Sequence, residues 1–116
     1  MGGSNSSGRV QVYHDKQWGR VCGDYSWDIN EANVVCRYLG FKEAEAALTS
    51  DIFGKGKGFI LLQRVRCSGI EPSLSQCSHD GWEHVNYCGG YRRGDASVIC
   101  KTSTGTYSQT NNGIFM

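Results

Sequence analysis

The six cysteines are the residues of this 116-residue chain whose type and number bear most directly on chemistry. They are Cys22, Cys36, Cys67, Cys77, Cys88 and Cys100. An even number of thiols spread through a small chain favours three disulfides, and therefore an oxidising compartment. The alternative is a reduced protein with buried thiols, and the spacing alone leaves the pairing of the six open.

The segment between Cys77 and Cys88 also suggests zinc, since it contains His79 and His84. The spacings do not match the usual paired zinc motifs, and disulfides would use both thiols. Bridged thiols also exclude a cysteine nucleophile, and no GxSxG-type signature places a serine near a histidine and an acid. We therefore expect no zinc site and no enzymatic activity.

The near-equal numbers of acidic and basic residues do not indicate a class of binding partner. The chain has 12 basic and 11 acidic side chains, which argues against a specific nucleic-acid binder. The glycine-rich loop at residues 54–58 contains Lys55 and Lys57 but lacks the Gly-Lys-Ser/Thr of a phosphate loop. No apolar run approaches the roughly 20 residues of a transmembrane helix, and the first residues lack the pattern of a signal peptide.

These residues must be positioned by a small number of elements, of which residues 27–40 are the most clearly patterned. Their helical spacing places four apolar residues on one stripe: Ala32, Val35, Cys36 and Leu39. Asp28 or Asn30 can cap the first turn, and Asp28 with Glu31 has capping-box spacing. Gly40 suits a left-handed C-cap. The sequence therefore predicts one amphipathic helix whose buried face carries Cys36.

Most other patterned segments indicate strands. Residues 9–14 alternate, with Val10 and Val12 on one face, and Asp15 and Lys16 form a plausible turn into a return strand at residues 18–22. Residues 96–100 are predicted to form a closing strand. Residues 44–48 stay open between a helical turn and a strand, and residues 71–77 can form one helical turn.

Residues 59–67 are the most strand-like run, with the sequence FILLQRVRC. Alternation predicts Leu61, Gln63, Val65 and Cys67 on one face and Ile60, Leu62, Arg64 and Arg66 on the other. If Cys67 points inward, both arginines point outward together. The three tryptophans, Trp18, Trp27 and Trp82, are expected to be core residues in a domain of this size.

The composition divides the chain into three parts. Residues 1–7 are rich in Gly and Ser and are expected to be a flexible N-terminal segment or an expression remnant. Residues 8–101 hold all the cysteines and form the predicted domain. Residues 102–116 have no apolar period, which fits a polar tail or linker. We do not predict that Ile114 and Phe115 dock onto the domain.

Several motifs, taken in chain order, closely resemble the scavenger receptor cysteine-rich (SRCR) domain family. The resemblance covers residues 8–100 and is specific, because it matches six cysteines, two tryptophans and a helix motif at once. The matching segments are GRVQV, QWGRVC, WD, NVVCRYLGF, FG, ILL, VRCSG, SLSQC, GW, NYC and DASVIC.

The resemblance implies a small disulfide-stabilised α+β fold, in which a curved antiparallel sheet cradles one main helix. It further implies the pairs Cys22–Cys88, Cys36–Cys100 and Cys67–Cys77. Phe41 stands where the eight-cysteine group of the family has another cysteine, so the chain is similar to the six-cysteine group A.

Family members often carry cation sites built from acidic pairs, and this sequence departs from each of them. Asp24 remains from the first pair, Gln63 and Arg64 replace the second, and Asp95 remains from the third. Ca²⁺ takes six to eight oxygen ligands, so Asp24 and Asp95 would form an incomplete cage. We expect no cofactor, with Ca²⁺ at these two acids as the alternative.

The same departures predict a positive surface. Its candidate residues are Arg64, Arg66, Arg92, Arg93, Lys55, Lys57 and Arg20. Several guanidinium groups together attract sulfate, phosphate or carboxylate, whereas scattered solvated charges would not. With the resemblance, they predict an extracellular, non-catalytic binding module for microbial or host polyanions or for a protein partner. The alternative is a structural or docking module of a larger protein, with no ligand of its own.

Overall fold

The computed structural model describes residues 6–49, 52–54, 56, 58–83, 88, 94–102 and 114–115. Within these residues, the chain forms one α-helix, one 3₁₀ turn and seven strands. In order, they are β1 (Ser7–His14), β2 (Gln17–Gly23), α1 (Ile29–Tyr38), β3 (Ala44–Leu48), β4 (Ile60–Leu62), the 3₁₀ turn (Leu74–Gln76), β5 (Gly94–Asp95), β6 (Ser97–Cys100) and β7 (Ile114–Phe115).

The sheet is arranged around β1. The strand order is β3-β6-β1-β2-β4, and β5 adds to β2 while β7 adds to β1. Most neighbours are antiparallel, but β4 runs parallel to β2 and β7 runs parallel to β1. With α1 packed against β3 and β6, this is the predicted α+β fold, and the antiparallel sheet of the prediction is in fact partly parallel.

The β1–β2 hairpin forms as the alternation predicts. Val10 and Val12 are buried, and the turn residues Asp15 and Lys16 have φ angles of 53° and 68°. A two-residue turn with positive φ at both positions matches the twist of the strands it joins. The hairpin also pairs Tyr13 with Trp18 on one face of the sheet.

The two ends of the domain meet beside β1. Ser7 pairs with Ile99 of β6, and the Cys100 N–H donates to the Ser6 carbonyl over 2.7 Å. Strand β7 was not predicted, because residues 102–116 have no apolar period. In the structure Ile114 pairs with Val10 and Phe115 pairs with Gln11, so Ile114–Phe115 joins the sheet, a contact that the sequence did not predict.

Helix α1 begins and ends where its local signals predict. The Asp28 side chain accepts hydrogen bonds from the N–H groups of Asn30 and Glu31, and the Glu31 side chain accepts one from the Asp28 N–H. The reciprocal pair between Asp28 and Glu31 is a capping box. At the other end, Gly40 has a φ of 99°, and the Phe41 N–H donates to the Cys36 carbonyl. This is the Schellman arrangement that favours glycine after a helix.

The core lies between the helix and the sheet and is crossed by a disulfide. Cys36 on α1 is bonded to Cys100 on β6, and both residues are buried. The other two bridges join Cys22 to Cys88 and Cys67 to Cys77, which are the pairs that the family resemblance implies.

Glu31 is an acid inside this core, with only 2% of its surface exposed. One carboxylate oxygen accepts the Asp28 N–H and the other accepts the Cys67 N–H over 2.6 Å. Burial, followed by the hydrogen bond to the Asp28 side chain, raises the pKa of Glu31 to about 7. The carboxyl group therefore joins the helix start to the segment that carries the Cys67–Cys77 bridge.

Residues 59–67 are the main correction to the predicted elements. Strand β4 covers only Ile60–Leu62, and Leu62 is buried beside Leu61 instead of facing outward. The regular strand ends before Arg64, whose φ of 52° takes the chain out of the extended conformation, although Gln63, Val65 and Cys67 are buried as predicted. Both arginines are nevertheless exposed, as predicted.

The structure assigns the secondary structure of two further segments, residues 44–48 and residues 71–77. Residues 44–48, left open by the sequence, form strand β3 against β6. The helical turn expected at residues 71–77 is a 3₁₀ turn at Leu74–Gln76. In the described part of the chain, the only α-helix is too short to cross a bilayer.

Candidate functional site

Arg64 lies at the end of β4, where its backbone and side chain are both held by acids. Its N–H donates to Asp24 Oδ2 over 2.7 Å, and its Nε lies 3.1 Å from Asp80 Oδ2. The same Asp80 oxygen accepts a hydrogen bond from the buried Gln63 side chain. Asp24 thus holds the left-handed backbone of Arg64 in place, and the Arg64 guanidinium forms an ion pair with the Asp80 carboxylate.

Arg66 lies two residues further on in a rigid frame. Its N–H donates to the Ser78 carbonyl over 2.8 Å, and the Ser78 N–H donates back over 3.0 Å. The Cys67–Cys77 disulfide closes the adjacent rung of this short antiparallel bridge. Arg66 is exposed, and it forms no salt bridge with any residue that the structure describes.

Arg20 and Asp95 form a different kind of pair. Arg20 Nη1 lies 2.9 Å from Asp95 Oδ1, with 18% of the arginine side chain and 3% of the aspartate side chain exposed. Arg20 Nε also donates to the Gly58 carbonyl, and the Gly56 N–H donates to Asp95 Oδ2. This candidate anion ligand and this candidate metal ligand therefore neutralise each other and anchor the glycine-rich loop to the sheet.

The oxygens of the candidate calcium ligands already accept hydrogen bonds. Asp24 Oδ1 accepts the Ser26 N–H and Oδ2 accepts the Arg64 N–H. The Asp95 oxygens accept from Arg20 and Gly56. A cation at Asp95 would therefore compete with a guanidinium group for the same carboxylate.

One cluster of potential metal ligands occurs among the described residues, at Cys67, Glu71 and Cys77. Both of its sulfur atoms belong to a disulfide, so they are not thiolate ligands. The Glu71 carboxylate accepts the backbone N–H groups of Ser68 and Gly69, and the Ser68 bond in particular lowers the pKa of Glu71 to about 2. The cluster is therefore a braced turn around the disulfide.

The predicted positive surface is only partly described by the structure. The structure places Arg64 and Arg66 at neighbouring exposed positions, whereas Arg20 forms a largely buried ion pair with Asp95. Four further candidates, Lys55, Lys57, Arg92 and Arg93, lie outside the described residues. Lys55 and Lys57 are the chain neighbours of Gly56, whose N–H is bonded to Asp95.

A second candidate site was missed by the sequence reasoning. Trp27 is buried as expected, but Trp18 is 46% exposed and Trp82 is half-buried beside an open cleft. The cleft has a volume of about 530 Å³ and is lined by Val12, Tyr13, His14, Tyr38, Ser73, Leu74, Ser75 and Trp82. These residues come from four separated segments, so no local sequence signal places them together.

Comparison with known sequences gives one family. The family model described as "Scavenger receptor cysteine-rich domain" matches residues 1–101. The galectin-3-binding protein of Bos taurus is 49% identical over 113 residues, which are 97% of this chain and 20% of that protein. Lysyl oxidase homolog 2 of Bos taurus is 50% identical over 96 residues, which are 83% of this chain and 12% of that protein. The chain thus spans a fifth or less of these two relatives.

Solved structures agree with the sequence match. The dimeric form of the SRCR domain of mouse MARCO has a TM-score of 0.71 and 42% identity, covering 87% of this chain and 91% of that domain. The third SRCR domain of murine neurotrypsin has a TM-score of 0.70 and 40% identity, covering 85% of this chain and 89% of that domain. With the helix, the sheet and the three disulfides, these matches show that the chain belongs to the scavenger receptor cysteine-rich domain family.

Proposed function

We propose that this domain is an extracellular, non-catalytic binding module of the six-cysteine group A type. Three disulfides support an oxidising compartment, because such bonds are rare in the reducing cytosol. The matched relatives are much longer than this chain, which supports a role as one module within a larger protein. In this proposal the domain recognises a ligand without a cofactor and without catalysing a reaction.

The proposed ligand is an anionic group on a microbial or host polymer. The observation that carries this proposal is the position of Arg66, an exposed guanidinium on a backbone that the Ser78 bridge and the Cys67–Cys77 disulfide hold rigid. The planar fork of arginine can bind sulfate, phosphate or carboxylate through two parallel hydrogen bonds. A fixed backbone lowers the entropy lost when the side chain is immobilised by a ligand.

Arg64 is proposed to contribute less than Arg66. Its guanidinium already contacts Asp80, so an incoming anion must compete with that carboxylate. Asp24 adds a further negative charge near the Arg64 backbone. Binding by one domain should therefore be weak and sensitive to salt, and several copies on one surface would be needed for high avidity.

Heparin chromatography of the 116-residue chain tests this proposal. The double variant Arg64→Ala/Arg66→Ala is expected to elute at clearly lower salt than the unaltered protein, because two cations of the binding surface are removed. The control variant Lys42→Ala/Lys101→Ala also removes two exposed positive charges, but from the β3–β6 side of the fold. Equal elution of the two variants, or no salt-dependent retention of the unaltered protein, would contradict the proposal.

The second candidate function is a docking or positioning module without a ligand of its own. It is favoured by the adjacent ends of the domain, where Cys100 is hydrogen-bonded to Ser6. Adjacent ends allow a domain to be inserted into a longer chain with little disturbance. Beads coated with heparin or with bacterial surface polymers, tested at physiological salt, distinguish the two candidates, since a purely positioning module would not be retained.

A further inference from the structure

The aromatic cleft is an open concave surface, and no arginine of the proposed anion site is among its described lining residues. Its floor is formed by the buried Val12 and Leu74, and its walls come from the end of β1, the end of α1, the 3₁₀ turn and Trp82. A volume of about 530 Å³ lies within the range of small-molecule sites in proteins.

Among the described residues, one tryptophan and two tyrosines line the cleft: Trp82 is held by stacking, and Tyr13 and Tyr38 are accessible to solvent. Trp82 is stacked on His14, with ring centroids 3.9 Å apart and planes within 1°, and His79 meets its edge at 5.6 Å. Tyr13 and Tyr38 are 53% and 51% exposed. Tyr13 also contacts Trp18 at 5.2 Å, so the aromatic surface extends beyond the rim of the cleft.

The polar groups of the cleft are four hydroxyls, the indole N–H of Trp82 and the imidazole of His14, whose ring is stacked on Trp82. Ser73 Oγ and Ser75 Oγ lie 2.9 Å apart, and the two tyrosines add phenol groups. A hydroxyl can donate and accept at the same time. The eight described lining residues include no aspartate, glutamate, lysine or arginine, so these eight offer no carboxylate, ammonium or guanidinium partner to a charged ligand.

We propose that this cleft binds an uncharged saccharide, a function beyond the anion recognition described above. A pyranose ring has C–H groups on its faces that carry partial positive charge and pack on the negative face of an aromatic ring. Its hydroxyls both donate and accept, which matches Ser73 and Ser75. A proline-rich peptide would use the aromatic rings but offers mainly carbonyl acceptors, so it uses the hydroxyl pair less completely.

Saturation-transfer NMR with defined probes tests the assignment. The probes are methyl α-mannoside, methyl β-galactoside, N-acetylglucosamine and a neutral trisaccharide of each. Irradiation of the aromatic protons of the protein should transfer most strongly to the C–H protons on one face of the bound ring. A decamer of proline serves as the competing ligand class.

Variants at the rim separate cleft binding from other effects. Tyr38→Ala is expected to weaken binding about tenfold, which corresponds to the loss of one ring contact. Tyr25→Ala removes a tyrosine that is 90% exposed and lies outside the cleft, and it should leave binding unchanged. Arg64→Ala/Arg66→Ala should also leave it unchanged, whereas it should reduce heparin retention.

Folding is verified separately for every variant by the thermal midpoint and by the mass of the non-reduced protein. If Tyr38→Ala fails this test, Ser75→Ala replaces it, because Ser75 is exposed and contributes only a hydroxyl. The inference is overturned by any of three results: no transfer to any saccharide, saccharide binding that the cleft variants do not weaken, or displacement of the saccharide by the proline decamer at lower concentration. Each of these leaves the heparin result independent.

Discussion

The ion pair between Arg20 and Asp95 is predicted to be a major source of stability, in contrast to a surface pair of the same geometry. The two atoms are 2.9 Å apart in this pair and 3.0 Å apart in the Lys101–Glu43 pair. The exposed fractions differ greatly, at 18% and 3% for the first pair against 55% and 46% for the second. Burial, rather than distance, should therefore decide the difference in energy.

The expected cost follows from what each substitution leaves behind. Arg20→Ala removes the cationic partner of a buried carboxylate that keeps the hydrogen bond from the Gly56 N–H, and it also removes the donor to the Gly58 carbonyl. Removing the cationic partner of a buried carboxylate costs about 3 kcal/mol. Lys101→Ala leaves Glu43 in water and should cost far less.

Urea unfolding of the oxidised protein, with the three disulfides intact, measures the loss of unfolding free energy in each variant. The comparison requires that all variants show the same dependence of that free energy on urea concentration. Two double-mutant cycles, one with Asp95→Ala and one with Glu43→Ala, isolate the coupling within each pair. We expect about 2 kcal/mol of coupling for Arg20 with Asp95, and a much smaller coupling for Lys101 with Glu43. Equal coupling in the two cycles would refute the reasoning that burial sets the energy here.

Two further predictions concern buried contacts. The pKa of Glu31 is raised from 4.5 to about 7 in the folded protein, so the folded state holds this proton in a range where the unfolded state has released it. The free energy of unfolding should therefore fall as pH rises from about 4.5 to about 7, by at most about 3 kcal/mol. Urea midpoints measured across this pH range should change less in Glu31→Gln than in the unaltered protein. An equal change of the urea midpoint with pH in both proteins would contradict Glu31 as the origin. Gly56→Ala should cost about 2 kcal/mol, because a Cβ there would lie 2.7 Å from Asp95 Oδ2 and 2.9 Å from Arg20 Cδ, and an unchanged thermal midpoint would show that the loop moves freely.

Local signals account for the elements that the sequence predicted well. The capping box of Asp28 and Glu31 and the glycine at position 40 act within a few residues of the helix ends, so the helix could be located from the sequence. The hairpin is equally local, since Asp15 and Lys16 join two alternating strands. The identity of the fold came from the resemblance, because spacing alone does not choose among cysteine pairings.

The site depended on contacts between distant residues and was predicted less well. The exposure of Arg64 and Arg66 followed from alternation, although the left-handed turn at Arg64 depends on Asp24, 40 residues earlier. The pairing of Arg20 with Asp95 spans 75 residues, so two candidates for different ligands could not be recognised as partners. The aromatic cleft combines four segments, and its residues individually resemble ordinary core positions.

The antiparallel contact of β1 with β6 has a mechanical consequence for a longer protein. Once the two-residue pairing of β7 with β1 has opened, tension on the flanking segments would act at Ser6 and at Cys100, which are at the same end of the β1–β6 pair. Such a load opens hydrogen bonds one after another, like a zipper, and therefore meets little resistance at the N-terminal side. On the other side, the covalent link from Cys100 to Cys36 carries the load into the helix. Under pulling, the domain would lengthen at β1 while α1 and β6 remained tethered to each other.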